Sequence, residues 1–261
     1  MTAGAAVESR HDLDAVAVEV ADAVATISFG SGQRFNALGS PDWQALQRAV
    51  DSLRGRGPLR AVVLRGRGGV FCSGSDLREW DGASGPEVSH SFELMEAALQ
   101  AIEDLPVPTV AAVEGYATGA GCQLALACDL QLTSASARIG MPIGRLGLLV
   151  PATFANRISL RIGPSRTKDL LFGGRLLSAQ EAAAMGLVSS VLADDDVDAA
   201  LAGLLAGWAG LSAASLRASK AAVDQGLRPV TQAGRDVPQG PAADPQEFAA
   251  RVDRFLHRHR K

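Results

Sequence analysis

The chain of 261 residues carries 47% hydrophobic and 20% charged side chains, enough apolar material for a buried core and too little polar bias for disorder. A formal net charge of -3 argues against nucleic-acid binding through bulk positive charge. Three cysteines without CxxC spacing and four histidines assemble no disulfide framework and no zinc or haem signature, so reduced thiols and no permanent cofactor are expected.

Met1 to Arg10 lacks a basic start followed by an apolar run, so no secretory signal is read there. The richest apolar stretch, Ala199 to Leu211, is far shorter than the roughly 20 residues of a membrane span. A cytoplasmic protein with neither nucleic-acid nor membrane partners is expected.

Alternation at Val16, Val18 and Val20 predicts a strand, and Ala23 to Phe29 a second, with Ala21-Asp22 as the turn. A helix follows, with Ser40 as N-cap, Pro41 at the first position, and Trp43, Leu46, Val50 and Leu53 on one face. Arg60 to Leu64 reads as a buried strand. Val88, Phe92, Met95, Leu99 and Ile102 mark an amphipathic helix that Pro106 and Pro108 end. Thr109 to Val113 is a strand, and a helix starts inside Gly119-Ala120-Gly121 and runs through Cys128. Leu130 to Thr133 and Ala137 to Met141 read as strands; from Ala152 onward the pattern is helical, with a capping box at Ser178–Glu181 and a last helix from about Pro245 to His259. The basic run His257 to Lys261 reads as a solvated helix end. Strands alternating with helices, then helices alone, describe an α/β core with a helical tail.

Two loops carry the chemistry. The amides around Gly119, Ala120 and Gly121 open a helix and have no partner inside it, so they suit a developing oxyanion; the other reading is that the glycines only allow close packing. Leu124 breaks a G-x-G-x-x-G fingerprint and no Gly-Lys pair exists, so neither a dinucleotide site nor a P-loop is supported. The loop Phe71 to Leu77 has the same small-residue character after another strand. Two such loops offering one amide each to a single oxygen make an oxyanion hole, worth roughly 3–4 kcal/mol per donor.

Five segments in order resemble the crotonase (enoyl-CoA hydratase/isomerase) superfamily. Arg34-Phe35-Asn36-Ala37-Leu38 is similar to its first coenzyme A loop, and Phe71-Cys72-Ser73-Gly74-Ser75-Asp76-Leu77 to F-x-A-G-A-D-L. Gly115 to Ala125 resembles G-Y-A-x-G-G-G-C-E-L-A, extended by Cys128-Asp129. Gly173-Gly174-Arg175, then Ser178 to Ala182 and Gly186-Leu187-Val188, resemble T-G-R…S-A-x-E-A…G-L-V.

The resemblance implies a spiral of ββα units over 1–195 and a helical trimerisation region over 196–261, assembled as a trimer or dimer of trimers. It implies coenzyme A as part of an acyl-CoA substrate. It places the oxyanion amides at Ser73 and Ala120, and the substrate path along Arg34, Phe35, Ala37, Ser73, Ser75, Asp76, Leu77, Tyr116, Thr118, Gly119, Ala120, Pro142 and Ile143. For Asp76 a loop-fixing acceptor role stands beside substrate contact.

The two hydratase glutamates fall at Gln123 and Ile143. Neither an amide nor an alkyl side chain titrates usefully, so hydration by the two-glutamate route is not expected. Arg145 reads as a surface residue, with carboxylate binding as the alternative. Glu79 and Asp81 are candidate acid–base groups; His90, Glu93 and Glu96 share the helix beside the acyl pocket, His90 as a solvated residue. Double-bond isomerisation, decarboxylation, hydrolysis or retro-aldol cleavage remain open, as does a non-catalytic acyl-CoA-binding relative acting as partner or sensor.

Overall fold

The computed structural model describes residues 9–13, 15–57, 59–238 and 240–257. Met1–Glu8 and Arg258–Lys261, with most of the C-terminal basic run, lie outside the described residues.

Strands β1 (Ser9–Leu13), β2 (Val16–Ala21) and β3 (Val24–Phe29) form an antiparallel meander. Its second turn is Asp22-Ala23, one residue later than expected: both have positive φ (50° and 60°), the backbone twist a two-residue hairpin needs. Helix α1 (Ser40–Asp51) is capped from Gly39, not Ser40. The Asp42 carboxylate reaches back to the Gly39 N–H (2.9 Å), while the Ser40 N–H and hydroxyl are taken by Glu79 (2.9 and 3.0 Å).

Strand β4 (Ala61–Gly66), helix α2 (Gly85–Glu103) and strand β5 (Thr109–Val113) follow. β5 is buried throughout, as a central parallel strand covered on both faces should be. Then come β6 (Tyr116–Thr118), α3 (Ala120–Leu126), β7 (Leu130–Ser134) and β8 (Arg138–Gly140). α3 has only two turns and stops before Cys128, because Arg161 donates to the carbonyls of Leu126 and Cys128 that a longer helix would use.

The chain continues through α4 (Ala152–Gly173), β9 (Leu177–Ser178), α5 (Ala179–Met185), β10 (Ser190–Leu192), α6 (Val197–Ala209), α7 (Ala213–Asp236) and α8 (Phe248–Leu256). β9 and β10 correct the expectation of helices alone after Ala152. Both are too short for a periodic pattern and exist through pairing with β8 and β7. The capping box is present as read: Ser178 Oγ accepts from the Glu181 N–H (3.2 Å), and the Glu181 carboxylate accepts from the Ser178 N–H (2.8 Å).

One sheet orders its strands β1-β2-β3-β4-β5-β7-β10, parallel from β3 onward; a second orders β6-β8-β9. Trp43, Leu46, Met95, Leu99 and Leu124 pack in the main core, and Val63, Val110, Leu132 and Leu201 close the opposite face under α6. Phe248 and Val252 of α8 join the main core, which places α8 beside the loops described next.

Candidate active site

Arg34, Phe35 and Asn36 all have positive φ (49°, 53° and 55°), a left-handed turn that costs non-glycine residues about 1–3 kcal/mol each. Asn36 holds it. Its buried amide accepts from Gly32 N–H (2.8 Å) and donates to the carbonyls of Arg67 (2.8 Å) and Val70 (2.6 Å). Arg34 pairs with the Asp76 carboxylate, which also accepts from Arg78 N–H (3.3 Å), so Asp76 fixes the loop. Phe35 and Tyr116 meet edge to face at 5.4 Å, both exposed.

The Ser73 N–H donates to the Phe35 carbonyl (2.9 Å), which corrects its expected role as an oxyanion donor. That bond carries the left-handed turn onto the 73–77 loop. Leu38 N–H donates to Gly74 O (2.8 Å) and Asp76 N–H to Leu38 O (2.9 Å). Amides alternate sides along an extended segment, so the Ser75 N–H faces away from Leu38. Among the described residues no backbone carbonyl accepts from the N–H of Ser75 or Ala120. The two loops are in contact: a Cβ built on Gly74 (φ 108°) would stand 2.7 Å from Thr118 O and 3.5 Å from Ala120 N.

The two glycines flanking Ala120 divide the roles left open above. A Cβ on Gly121 would lie 2.1 Å from Cys72 O, so this glycine permits close packing. Gly119, at φ 57°, has open space where a Cβ would go; it turns the chain into α3 and keeps the approach to Ala120 clear.

That space belongs to a cavity of about 450 Å³. Of the residues read as the substrate path, Ser73, Ser75, Leu77, Thr118, Gly119, Ala120, Pro142 and Ile143 line it. Arg34, Phe35, Ala37, Asp76 and Tyr116 lie outside its lining, on the loop and ring pair beside it. Trp80, Phe92 and Phe154 form an aromatic wall, Trp80 and Phe92 stacked at 5.8 Å. Among the described residues no aspartate, glutamate or histidine lines the cavity.

Ile143 faces this space, whereas Gln123 does not line it. Gln123 is fully buried; its amide donates to Phe154 O (3.4 Å) and accepts from Arg157 Nη1 (2.8 Å). Arg157 itself is buried between Glu103 (2.6 Å) and Glu96 (3.0 Å). Burial alone would weaken its proton affinity, but the two carboxylates outweigh that and raise it.

The acid–base candidates have other partners. Glu79 caps α1 through Ser40, Glu96 pairs with Arg157, and His90 stands exposed beside Glu93 (3.4 Å). Asp81 is exposed outside the cavity lining. All three cysteines are free and buried, and burial pushes the thiols of Cys72 and Cys122 up to about 12. Among the described residues no group of three or more His, Cys, Asp or Glu could hold a metal ion.

Sequence reasoning missed Arg157 and the α8 side chains Arg251, Arg254 and Phe255, the last three on the cavity wall. Apolar residues at 248, 252 and 256 could have marked α8 as packed, but not against what.

A mixed sheet wrapped by helices, with two small-residue loops meeting at an apolar cavity, is the crotonase arrangement, and the fold expected from the sequence is the one observed. The family model for enoyl-CoA hydratase/isomerase matches residues 19–250, and the chain belongs to that family. It is similar to the mitochondrial methylglutaconyl-CoA hydratase of Mus musculus, 37% identical over 158 residues, 60% of this chain and 50% of the relative. The match thus spans about half the length of that relative. A putative enoyl-CoA hydratase/isomerase of Bacillus subtilis is 32% identical over 205 residues, 78% of this chain and 79% of its own. Among solved structures, an enoyl-CoA hydratase/isomerase from Pseudoalteromonas atlantica superposes with a TM-score of 0.81 at 28% identity, covering 94% of this chain and 98% of that one. An enoyl-CoA hydratase/carnithine racemase from Magnetospirillum magneticum gives 0.79 at 28%, covering 94% and 88%.

Proposed function

We propose that the protein binds an acyl-CoA and stabilises the oxyanion or enolate of its thioester between the N–H groups of Ser75 and Ala120. One observation carries this reading: two amides with no acceptor among the described residues, on touching loops, open onto a cavity whose aromatic wall suits an acyl chain. Coenzyme A follows the left-handed 34–36 turn and the 73–77 loop as part of the substrate, with no permanent cofactor.

Hydration by paired carboxylates is not part of the proposal. Ile143 offers no proton, and Gln123 is turned into the Arg157 cluster. Isomerisation, hydrolysis and retro-aldol cleavage each need a proton acceptor; decarboxylation of a malonyl-type ester does not, because loss of carbon dioxide leaves the enolate directly. That no carboxylate or imidazole lines the cavity among the described residues also favours a second reading, an acyl-CoA-binding relative without turnover that acts as partner or sensor.

The test is to mix the purified protein with enoyl- and malonyl-type CoA esters, following thioester and double bond by absorbance and binding by calorimetry. Micromolar binding without hydration of crotonyl-CoA is expected. Hydration of crotonyl-CoA at turnover numbers of about 10 per second or more, ordinary for enzymes, refutes the assignment of 123 and 143. Binding of every ester without consumption of any selects the second reading.

A trimer or dimer of trimers is proposed through the helical region 196–261, supported by the exposed apolar side chains Val223, Leu227 and Val230 of α7. A cytoplasmic location is proposed from the three free thiols; no single described helix is long and apolar enough to cross a membrane.

A further inference from the structure

Among the described residues the charged side chains on the cavity wall are Arg145, Arg251 and Arg254, with no acidic residue to balance them. Arg251 is paired with Glu247 (2.6 Å) along α8. Arg145 and Arg254 make no ion pair with any described residue. They come from two different elements, the 142–146 turn and α8.

Those elements are held together. Leu148 bridges to Ala243, and a Cβ on Gly147 would lie 3.4 Å from Phe248 N and 3.3 Å from Arg251 Cδ. Both unpaired arginines therefore face one cavity. Trp80, 3% exposed, belongs to the aromatic part of the same wall.

A plain alkyl chain would satisfy the aromatic wall and leave both guanidiniums unanswered. Resting on the acyl-CoA reading above, we propose that the acyl group ends in a carboxylate held by Arg145 and Arg254. An anion in this cavity has two sources, the far end of the acyl chain and the phosphates of coenzyme A. The chain end is favoured because the coenzyme A segment begins at the 34–38 turn, whose own arginine is already paired with Asp76. Arg145 instead runs beyond Ile143 to the end of α4, its Nε 3.6 Å from where a Cβ on Gly174 would be.

The experiment compares binding of succinyl-, glutaryl- and adipyl-CoA with butyryl-, valeryl- and hexanoyl-CoA and with free CoA, by calorimetry. At the best chain length the dicarboxylic ester should bind about tenfold more tightly than its monocarboxylic partner. Arg145→Gln and Arg254→Gln should each narrow that ratio and together abolish it, leaving free CoA affinity within about twofold, with circular dichroism reporting the fold. Equal affinities at every chain length overturn the proposal. So does equal weakening of free CoA and both ester series in the variants, which would assign the guanidiniums to the coenzyme A phosphates. Failure of free CoA and all esters to bind the native protein overturns the acyl-CoA reading itself.

Discussion

Replacing Arg157 by methionine tests whether the first glutamate position has become structural. The substitution keeps an aliphatic side chain against Phe154 and removes the guanidinium that Glu103 (2.6 Å), Glu96 (3.0 Å) and the Gln123 carbonyl (2.8 Å) share. Removing one partner of a buried ion pair costs about 3–5 kcal/mol. Glu96 and Glu103 keep 18% and 29% side-chain exposure, and Glu103 retains Arg235 at 3.5 Å, so the lower end applies, about 3 kcal/mol. The buried Gln123 oxygen left without a donor adds about 1 kcal/mol. The sum of about 4 kcal/mol corresponds to a fall in Tm of about 10 °C for a chain of this length. Thermal and urea unfolding at fixed protein concentration, followed by circular dichroism, read it out. Arg157→Lys should recover part of the loss, because an ammonium keeps the charge but not the two-sided fork. A loss below about 1 kcal/mol for Arg157→Met would refute the cluster as the anchor of α3.

Three further outcomes are expected. Ala120→Pro removes the amide hydrogen at the first helical position, where proline is tolerated, so turnover of whichever CoA ester is consumed should fall about 10²–10³-fold with free CoA affinity retained; undiminished turnover would remove Ala120 from the site. Burial raises all three thiols, Cys72 and Cys122 to about 12, so a thiol reagent at pH 8 should label none in the native protein within minutes and all three in denaturant; rapid native labelling contradicts their burial. The Glu181 carboxyl is held below its usual range by hydrogen bonds from the Ser178 N–H and hydroxyl. A depressed folded value means stability present above the unfolded carboxylate range and lost as pH falls through the folded one. Glu181→Gln should therefore flatten the loss of stability in that acid window, and an unchanged acid limb of the pH–stability curve would show the box contributes nothing.

Much of the fold was legible because its determinants are local or periodic. The alternation of β2 and β3, the apolar stripe of α2, the apolar run Val110–Val113 of β5 and the Ser178–Glu181 box are written in neighbouring residues. Small residues at 73–75 and 119–121 likewise marked two loops fit for a ligand. Which amide is left without an acceptor could not be read locally, because Phe35, 38 positions earlier, accepts the Ser73 hydrogen bond. The same holds for Gln123, whose partner Arg157 arrives from α4, and for β9 and β10, which are strands only because β8 and β7 pair with them. Arg254 on the cavity wall is the furthest case, brought there by the packing of α8. Residue types set which groups this chain has to offer; long-range hydrogen bonds and packing, which carry no signature along the sequence, decided where each of them lies and what it touches.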